Sequence, residues 1–159
     1  MTWEEYKILA ARTMVSRGHD HDLRHMNSGI GTELFELQDI FKRYYAYGKD
    51  IDLVHVKEEL GDVYWYEANR ERLFGEDEFV RLHYYIGSIE DIMDNINKCI
   101  ITRTAVKYLL EHIAKYFNLE LSDIWEININ KLKARFPEKF NFKDALNRDL
   151  NNERKILEQ

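Results

Sequence analysis

Two acidic patterns of the same spacing lie in the first half of the chain, Glu33-L-F-Glu36 and Glu59-L-G-Asp62. Residues three apart on an α-helix lie on the same side of it, so each pair would present two carboxylates together. Carboxylate oxygens are hard ligands, which favour Mg²⁺ or Mn²⁺ over Zn²⁺. If the two helices converge in the core of a bundle, the four acids form a candidate site for divalent metal ions.

The position of these acids relative to the apolar residues distinguishes such a site from an ordinary solvated face. With roughly 100° per residue, the residues that define the two apolar faces are Ile30, Leu34, Leu37, Phe41 and Tyr44, then Val56, Leu60 and Val63. Glu33 falls within the first face, and Glu36 lies at its margin. Glu59 and Asp62 border the second. An isolated carboxylate there would be desolvated or protonated, so we expect the acids to share a cation. The spacing of the acids alone would also fit a helix face that is exposed to solvent.

The elements that must position these acids are helices, because apolar residues recur with a helical period along most of the chain. The predicted helices span residues 3–17, 30–47, 53–74, 78–86, 88–100, 104–117, 123–136 and 142–157. Thr2, Asp52 and Ser122 are suitable N-caps, and Gly48 and Gly75 are suitable stops. One proline and seven glycines leave little material for tight turns. The fold class is therefore predicted to be all-α.

The segment 18–29, G-H-D-H-D-L-R-H-M-N-S-G, interrupts the apolar pattern and predicts a polar loop. Its histidines and aspartates resemble a metal tract, but a phosphohydrolase of the HD type needs further ligands that the sequence does not place. A loop that contacts a base or ribose is the other interpretation. A ferritin-like di-iron bundle needs Glu-x-x-His on two helices, and no glutamate here has a histidine three residues later.

Composition excludes several classes of protein. A formal net charge of −6 disfavours binding to a nucleic-acid polymer, which requires a basic surface. The lone Cys99 allows no internal disulfide, and the acidic start of the chain lacks the features of a signal peptide. No apolar run approaches the about 18 residues of a membrane span. We expect one cytoplasmic domain over residues 1–159.

A second block lies downstream, Asn128-I-N-Lys131-L-K-A-Arg135-F-P-E-K-Phe140, and Ala145-L-N-R-D-L follows it. Together with the two acidic patterns, this block resembles the MazG-like all-α nucleoside triphosphate pyrophosphohydrolases, relatives of the all-α dUTPases and dCTPases. Their signature is E-x-x-E, then E-x-x-D, then N-I-x-K-L-x-x-R-Y/F-P-E-x-F.

The resemblance implies hydrolysis of a nucleoside triphosphate to the monophosphate and pyrophosphate, and we expect a deoxynucleotide as the substrate. It implies Mg²⁺, with Mn²⁺ as a substitute, and attack of a metal-activated water on the α-phosphate. The metal ligands it implies are Glu33, Glu36, Glu59 and Asp62, with Glu36 or Glu59 as the catalytic base. The substrate contacts it implies are Tyr66, Asn128, Lys131 and Arg135, of which the last two share a helix face.

The resemblance also implies a bundle with a four-helix catalytic core and a homodimeric or homotetrameric assembly. Compact members of the family have less chain between the two blocks, so we expect an extra helical hairpin inserted around residues 70–103. The base and sugar preference stays open. The alternative from another class is a catalytically silent helical bundle that binds a nucleotide or a protein partner.

Overall fold

The computed structural model describes residues 1–75, 84–102, 106–138, 140–147 and 149–158. Regular structure within them is helical, and no strand occurs there, which confirms the predicted all-α class. The helices are α1 (Trp3–Ala10), α2 (His19–Tyr47), α3 (Leu53–Phe74), α4 (Ile89–Thr102), α5 (Val106–Tyr116), α6 (Leu121–Arg135), α7 (Phe142–Leu146) and α8 (Leu150–Leu157). In the part of the chain that the structure describes, no helix is both long and apolar enough to cross a bilayer.

Capping residues set several helix boundaries where the sequence places them. Thr2 caps α1 in a reciprocal capping box. The carboxylate of Asp52 accepts from the N–H of Val54 at 3.0 Å, so α3 has the predicted bounds. Gly48 ends α2 with φ +63°, a conformation in which a side chain would be strained. The connection between α2 and α3 can therefore be predicted from the residues that end the first helix and start the second.

Helix α2 begins earlier than predicted, because the expected loop 18–29 is helical from His19 onward. Asp22, Met26 and Ile30 are buried at four-residue intervals, so the inward face keeps the helical period although most of the other residues are polar. The acidic residues in the first turn also favour this start, since they interact with the positive end of the helix dipole.

Gly29 supplies the turn signal that suggested a loop, yet it lies inside α2 for a packing reason. A Cβ atom at this position would lie 2.1–2.4 Å from ring atoms of Tyr66 on α3. The absence of a side chain therefore lets the Tyr66 ring lie directly against the backbone of α2.

Helix α1 ends at Ala10 instead of continuing to residue 17 as predicted, and a 3₁₀ turn, Ala11–Thr13, follows it. The indole N–H of Trp65 lies 3.1 Å from the carbonyl oxygen of Ala10 and 2.9 Å from Oγ1 of Thr13. This donor satisfies a carbonyl that the end of a helix leaves without an intrahelical partner.

The C-terminal third differs from the prediction in two places. Ser122 lies inside α6 rather than capping it, and no side chain caps that helix. The predicted single helix 142–157 is divided into α7 and α8. Asp149 caps α8 by accepting from the N–H of Asn152 at 3.0 Å, which explains why a new helix starts there.

The expected hairpin around residues 70–103 is described only in part, since residues 76–83 and 103–105 lie outside the described ranges. Helix α4 confirms the predicted helix 88–100 and packs against α2 and α5. Residues 84–86 are not helical, so the end of the predicted helix 78–86 is wrong. The hairpin itself stays a prediction.

The hydrophobic core lies between α2 and α3 and extends to α4, α5 and α6. The predicted core residues that are buried are Ile30, Leu34, Leu37, Phe41, Val56, Leu60 and Val63. Tyr44 is 45% exposed, so its predicted place on the apolar face is wrong. Leu53, near the same turn, is also exposed. The core therefore ends before the α2–α3 turn.

Helix α1 packs against both α3 and α6 through four aromatic rings, here termed the aromatic cluster: Trp3, Tyr6, Tyr64 and Trp125. The contacting ring centroids lie 5.5–5.8 Å apart. Contacts of this kind add about 0.5–1.5 kcal/mol each to the burial of apolar area. The aromatic cluster holds α1 against both α3 and α6, where these two helices meet.

The two glycines of α2 provide a matched test of this packing. Gly29→Ala is expected to lower the free energy of unfolding by about 1–3 kcal/mol, because the methyl group collides with Tyr66. Gly31→Ala is expected to raise it by about 0.5–1 kcal/mol, since the added carbon meets no atom within 4 Å among the described residues, apart from its chain neighbours and the adjoining backbone of α2. Urea unfolding of both variants measures the difference, and equal effects would contradict the packing of Tyr66 on α2.

Candidate metal centre

Three of the four predicted carboxylates meet where α2 packs against α3. Glu33, Glu59 and Asp62, here termed the carboxylate cluster, each offer one oxygen, and these oxygens lie within 4.8 Å of one another. Glu59 is only 4% exposed, and the other two are partly buried. The acids thus lie at the edge of the core, as their position on the helical wheel predicts.

Burial and mutual repulsion act against ionisation of two of these acids. Burial, together with the negative charges of Asp62 and Glu36, raises the pKa of Glu33 to about 7. The same causes raise the pKa of Glu59 to about 8. A divalent cation would remove both the repulsion and the desolvation cost, so the electrostatics of the cluster favour a bound metal ion.

Glu36 is not part of the carboxylate cluster. It lies one turn beyond Glu33 on α2 and is exposed, although its charge contributes to the raised pKa values of Glu33 and Glu59. It accepts no hydrogen bond from the residues that the structure describes. Its role as a metal ligand therefore stays a prediction, whereas its proximity to the cluster follows from the electrostatics.

Lys131 extends from α6 to the carboxylate cluster and is fully buried. Its Nζ atom lies 2.7 Å and 2.5 Å from the two carboxylate oxygens of Asp62, and 3.4 Å from Glu58. Burial alone would lower the pKa of Lys131, but the charges of Asp62 and Glu58 raise it above its ordinary value. The ammonium group therefore stays charged and neutralises part of the cluster.

Asn128 lies one turn before Lys131 and donates from Nδ2 to Oδ1 of Asp62 at 2.8 Å. This contact requires α6 to approach α3 closely at Gly61. A Cβ atom at Gly61 would lie 3.0 Å from both Cβ and Nδ2 of Asn128. The glycine between the two acids of the second pattern therefore has a structural reason: it makes room for the amide that holds the second acid.

Arg135 forms a two-pronged ion pair with Glu153 of α8, with Nε 2.8 Å and Nη2 2.5 Å from the two carboxylate oxygens. Together with the pair between Lys131 and Asp62, this contact shows that each predicted substrate-binding cation holds a carboxylate of the protein. Only Arg135 also lines the cavity described next. Their role as a phosphate clamp stays a prediction.

A cavity of about 750 Å³ adjoins the carboxylate cluster. Its lining residues come from the α1–α2 connection, α2, α3, α6 and the chain after α6: Thr13, Met14, Val15, Arg17, His21, Arg24, His25, Ser28, Glu33, Asp62, Trp65, Tyr66, Leu132, Arg135, Phe136, Phe140 and Ala145. Its volume lies in the range of small-molecule sites, about 300–1,000 Å³. Aromatic rings form much of the wall.

The wall of this cavity carries charged side chains of both signs. Among the described residues that line it, the carboxylates are Glu33 and Asp62, whereas Arg17, Arg24 and Arg135 are cationic. The side chain of Arg24 is exposed and pairs with no described residue. The cavity is therefore suited to an anionic molecule that also carries a flat apolar group.

Tyr66, a predicted substrate contact, lies between the cluster and the cavity. It is half-buried and lines the cavity next to Glu33 and Asp62. Burial and the charges of these two acids raise the pKa of Tyr66 to about 12. Its hydroxyl group therefore stays protonated near neutral pH and can donate a hydrogen bond.

Arg12 fixes the cavity wall at the end of α6. Its Nη1 atom donates to the carbonyl oxygens of Phe136, Pro137 and Glu138, at 3.1, 3.0 and 2.9 Å. A cation at the C-terminus of a helix also interacts favourably with the helix dipole. This contact ties the 3₁₀ turn after α1 to the chain that places Phe136 and Phe140 around the cavity.

Sequence reasoning missed most of the cavity wall. The sequence predicts a polar loop for His21 and His25, with contact to a base or ribose as the other interpretation. Both histidines and Trp65 line the cavity. The four-residue spacing of Asp22, Met26 and Ile30 was the signal that could have placed both histidines on α2, where the ring of His25 lies next to that of Tyr66.

The residues of the cluster fit Mg²⁺ or Mn²⁺ better than a softer metal, because all three donors are carboxylates. Three protein oxygens would leave the remaining positions of an octahedral ion to water or to phosphate oxygens. The cluster opens onto the cavity through Glu33 and Asp62, so a molecule bound there would have access to the ion.

No model of a known protein family matches the chain, and no curated protein or solved structure matches it either. The resemblance to MazG-like hydrolases therefore depends on the residues quoted above.

The raised pKa values predict how pH and metal affect stability. Between pH 4.5, the ordinary pKa of glutamic acid, and about 8, the folded protein holds protons on Glu33 and Glu59 that the unfolded chain has released. The contribution of these groups to the free energy of unfolding therefore falls as pH rises through this window. Urea unfolding in EDTA should show the fall, and it should be smaller in Glu59→Gln.

Addition of Mg²⁺ should raise the melting temperature more at about pH 8 than at about pH 6, because metal must displace protons at the lower pH. Glu126→Gln changes an exposed glutamate of α6 and serves as the control. An increase that is independent of pH, or that survives in Glu59→Gln, would contradict metal binding at the carboxylate cluster.

Proposed function

We propose that the protein is a Mg²⁺-dependent hydrolase that converts a nucleoside triphosphate, with deoxynucleotides as the proposed class, into the monophosphate and pyrophosphate. One observation carries this proposal: the carboxylate cluster opens into a cavity whose other walls are aromatic and cationic. Such a cavity combines the three features that a nucleotide with a metal-bound phosphate chain requires. The ordered acidic patterns and the block from Asn128 to Phe140 give the same assignment by resemblance.

Within this proposal, Glu33, Glu59 and Asp62 hold the ion. When bound, Mg²⁺ neutralises the triphosphate, polarises the α-phosphate and lowers the pKa of a water molecule. We assign the proton-accepting role to Glu36, because it lies near the cluster without belonging to it and its carboxylate is exposed. Glu59, the other predicted base, is assigned to the ion because it is buried inside the cluster.

The reaction is a displacement at the α-phosphorus. The water oxygen forms a bond to this atom, the bond from the α-phosphorus to the bridging oxygen breaks, and pyrophosphate leaves. The proton of the water passes to Glu36. Tyr66, which stays protonated, donates a hydrogen bond to a phosphate oxygen near Glu33 and Asp62.

The base and sugar are placed in the cavity, where Trp65, Tyr66 and Phe136 offer ring faces or edges. Arg24 is the cation of the wall that has no partner among the described residues, so it is available to the anionic substrate. Arg135 keeps its carboxylate partner and contributes to the potential of the wall.

The test is a panel of nucleoside triphosphates assayed for pyrophosphate with and without Mg²⁺. Glu33→Gln and Glu59→Gln are expected to lower kcat/KM by about 100-fold or more, because each removes a negative oxygen ligand. Glu36→Gln should lower kcat and leave metal affinity nearly unchanged. Glu126→Gln, on the exposed face of α6, should behave as wild type. Asp62→Asn is a weaker test, since it leaves Lys131 buried without its main partner.

Orthophosphate instead of pyrophosphate as the product would indicate a different phosphohydrolase. Nucleotide binding without turnover of any triphosphate would favour the alternative, a silent nucleotide-binding bundle. Turnover that survives in both Glu33→Gln and Glu59→Gln would place the metal centre elsewhere.

A second prediction concerns the cavity. Arg24→Gln is expected to raise KM for the triphosphate about 5–20-fold, with kcat little changed, because a long-range charge contact of about 1–2 kcal/mol is lost in ground and transition states alike. Arg72→Gln is the matched control, since Arg72 is exposed on α3 and lies outside the cavity wall. Steady-state kinetics at two salt concentrations measure the effect, and equal KM changes in both variants would show that Arg24 does not contact substrate.

A further inference from the structure

We propose that Tyr6 is a positioning residue of the metal centre, which holds Asp62 in its ligating orientation through the side chain of Asn128. Tyr6 lies on α1, outside the cavity wall, and no acidic pattern in the sequence includes it. The inference rests on the proposed function only in taking Asp62 as a metal ligand.

The contacts form a continuous chain from α1 to the carboxylate cluster. The hydroxyl group of Tyr6 lies 2.8 Å from Oδ1 of Asn128 and 3.3 Å from the carbonyl oxygen of Gly61. Nδ2 of Asn128 lies 2.8 Å from Oδ1 of Asp62. Tyr6 is fully buried and Asn128 is 2% exposed, so water does not compete for these hydrogen bonds.

The Tyr6 hydroxyl and the Asp62 carboxylate together favour one orientation of the Asn128 amide. With Oδ1 toward the hydroxyl, the amide accepts from Tyr6 and donates to Asp62. If the amide were reversed, its oxygen would face the carboxylate of Asp62, and two acceptors would meet without a proton between them. Removal of the hydroxyl leaves Oδ1 buried without its donor, which weakens the preference for the productive orientation.

The hydroxyl of Tyr6 remains a donor across the accessible pH range. Burial, the charge of Asp62 and the neighbouring Tyr64 raise the pKa of Tyr6 well above its ordinary value. The phenol therefore does not ionise under conditions in which the protein folds. If the side chain at position 6 only filled space in the core, its hydroxyl group would not be required.

The effect reaches the metal centre because Asp62 is held by few contacts. Its Oδ1 atom accepts from Asn128 and Lys131, and its Oδ2 atom accepts from Lys131 alone. Without the amide, Asp62 is held by Lys131 and can rotate about the ammonium group, so the oxygen that it offers to the carboxylate cluster is less firmly fixed. Partners that orient a ligand typically change metal affinity by about 10–100-fold.

Tyr64 provides a matched control. It belongs to the same aromatic cluster and is equally buried, but its hydroxyl group has no hydrogen-bond partner among the residues that the structure describes. Tyr64→Phe therefore removes the same atom from the same cluster without releasing an acceptor. A purely structural role of the tyrosine hydroxyls would make the two variants alike, whereas a positioning role would separate them.

The experiment compares the full-length wild type, Tyr6→Phe and Tyr64→Phe by two measurements. The first follows the side-chain amide of Asn128 by NMR in metal-free protein; we expect faster proton exchange in Tyr6→Phe and no change in Tyr64→Phe. The second measures Mn²⁺ affinity by the paramagnetic signal of the free ion; we expect about a 10-fold loss in Tyr6→Phe and less than about twofold in Tyr64→Phe.

Asn128→Ala gives a second arm, because it removes the amide itself and leaves Tyr6 in place; alone, it should lower Mn²⁺ affinity at least as much as Tyr6→Phe. Because Tyr6 acts only through Asn128, adding Tyr6→Phe to Asn128→Ala should lower Mn²⁺ affinity no further. Additive losses would overturn the inference. So would an unchanged Asn128 amide in Tyr6→Phe, or equal losses of affinity in Tyr6→Phe and Tyr64→Phe.

Failure of the proposed function gives a different result. If the wild type does not bind Mn²⁺ at the carboxylate cluster, the metal assignment is wrong, and the NMR comparison alone then decides whether Tyr6 positions Asp62. A wild type that binds Mn²⁺, with Tyr6→Phe indistinguishable from it in both measurements, overturns the positioning role and leaves the metal centre intact.

Discussion

The buried positive charge of Lys131 is the constraint on which the site depends. A fully buried ammonium group is tolerated only with a charged partner and well-formed hydrogen bonds, and removal of that partner typically destabilises a protein by about 3–5 kcal/mol. Asp62 is this partner. The pair fixes the distance between α3 and α6, requires a glycine at position 61, and places Asn128 between Tyr6 and the carboxylate.

The same pair makes the carboxylate cluster asymmetric. Asp62 pairs with Lys131, whereas Glu33 and Glu59 contact no ammonium group among the described residues and resist ionisation because they are buried beside other acids. Glu59 lies 2.9 Å from the imidazole of His55. With all three acids ionised and Lys131 charged, the group carries two uncompensated negative charges. One divalent cation would balance them. In its absence, protons take that role, which links the acid–base behaviour of the protein to its affinity for metal.

The hairpin of α2 and α3 shows how far the fold could be predicted from sequence. The bounds of α3 are set by local residues, Asp52 and the glycine that follows the helix, so a single sequence suffices. The start of α2 is set by a contact across the bundle. Gly29 has the signature of a turn, and only the ring of Tyr66 lying on it explains a glycine inside a helix.

The site divides in the same way. The acids of the cluster were predictable, because their spacing and position on the helical wheel are local properties of α2 and α3. The exposure of Glu36 could be predicted in part, since Glu36 lies at the margin of the apolar face of α2. The partners of Lys131 and Arg135 could not be predicted, because the position of a residue on a helix indicates the direction of its side chain but not the group that it contacts.

Tyr6 is the extreme case, because it is 122 residues from the amide that it contacts and belongs to an ordinary amphipathic helix. Nothing in its local pattern separates it from Tyr64, a core tyrosine of the same aromatic cluster. The two differ in whether an acceptor lies at the hydroxyl, and that depends on the approach of α6 to α3 that Lys131 enforces. The positioning of the metal ligand is therefore a consequence of the buried ion pair and becomes visible only once the three helices are packed together.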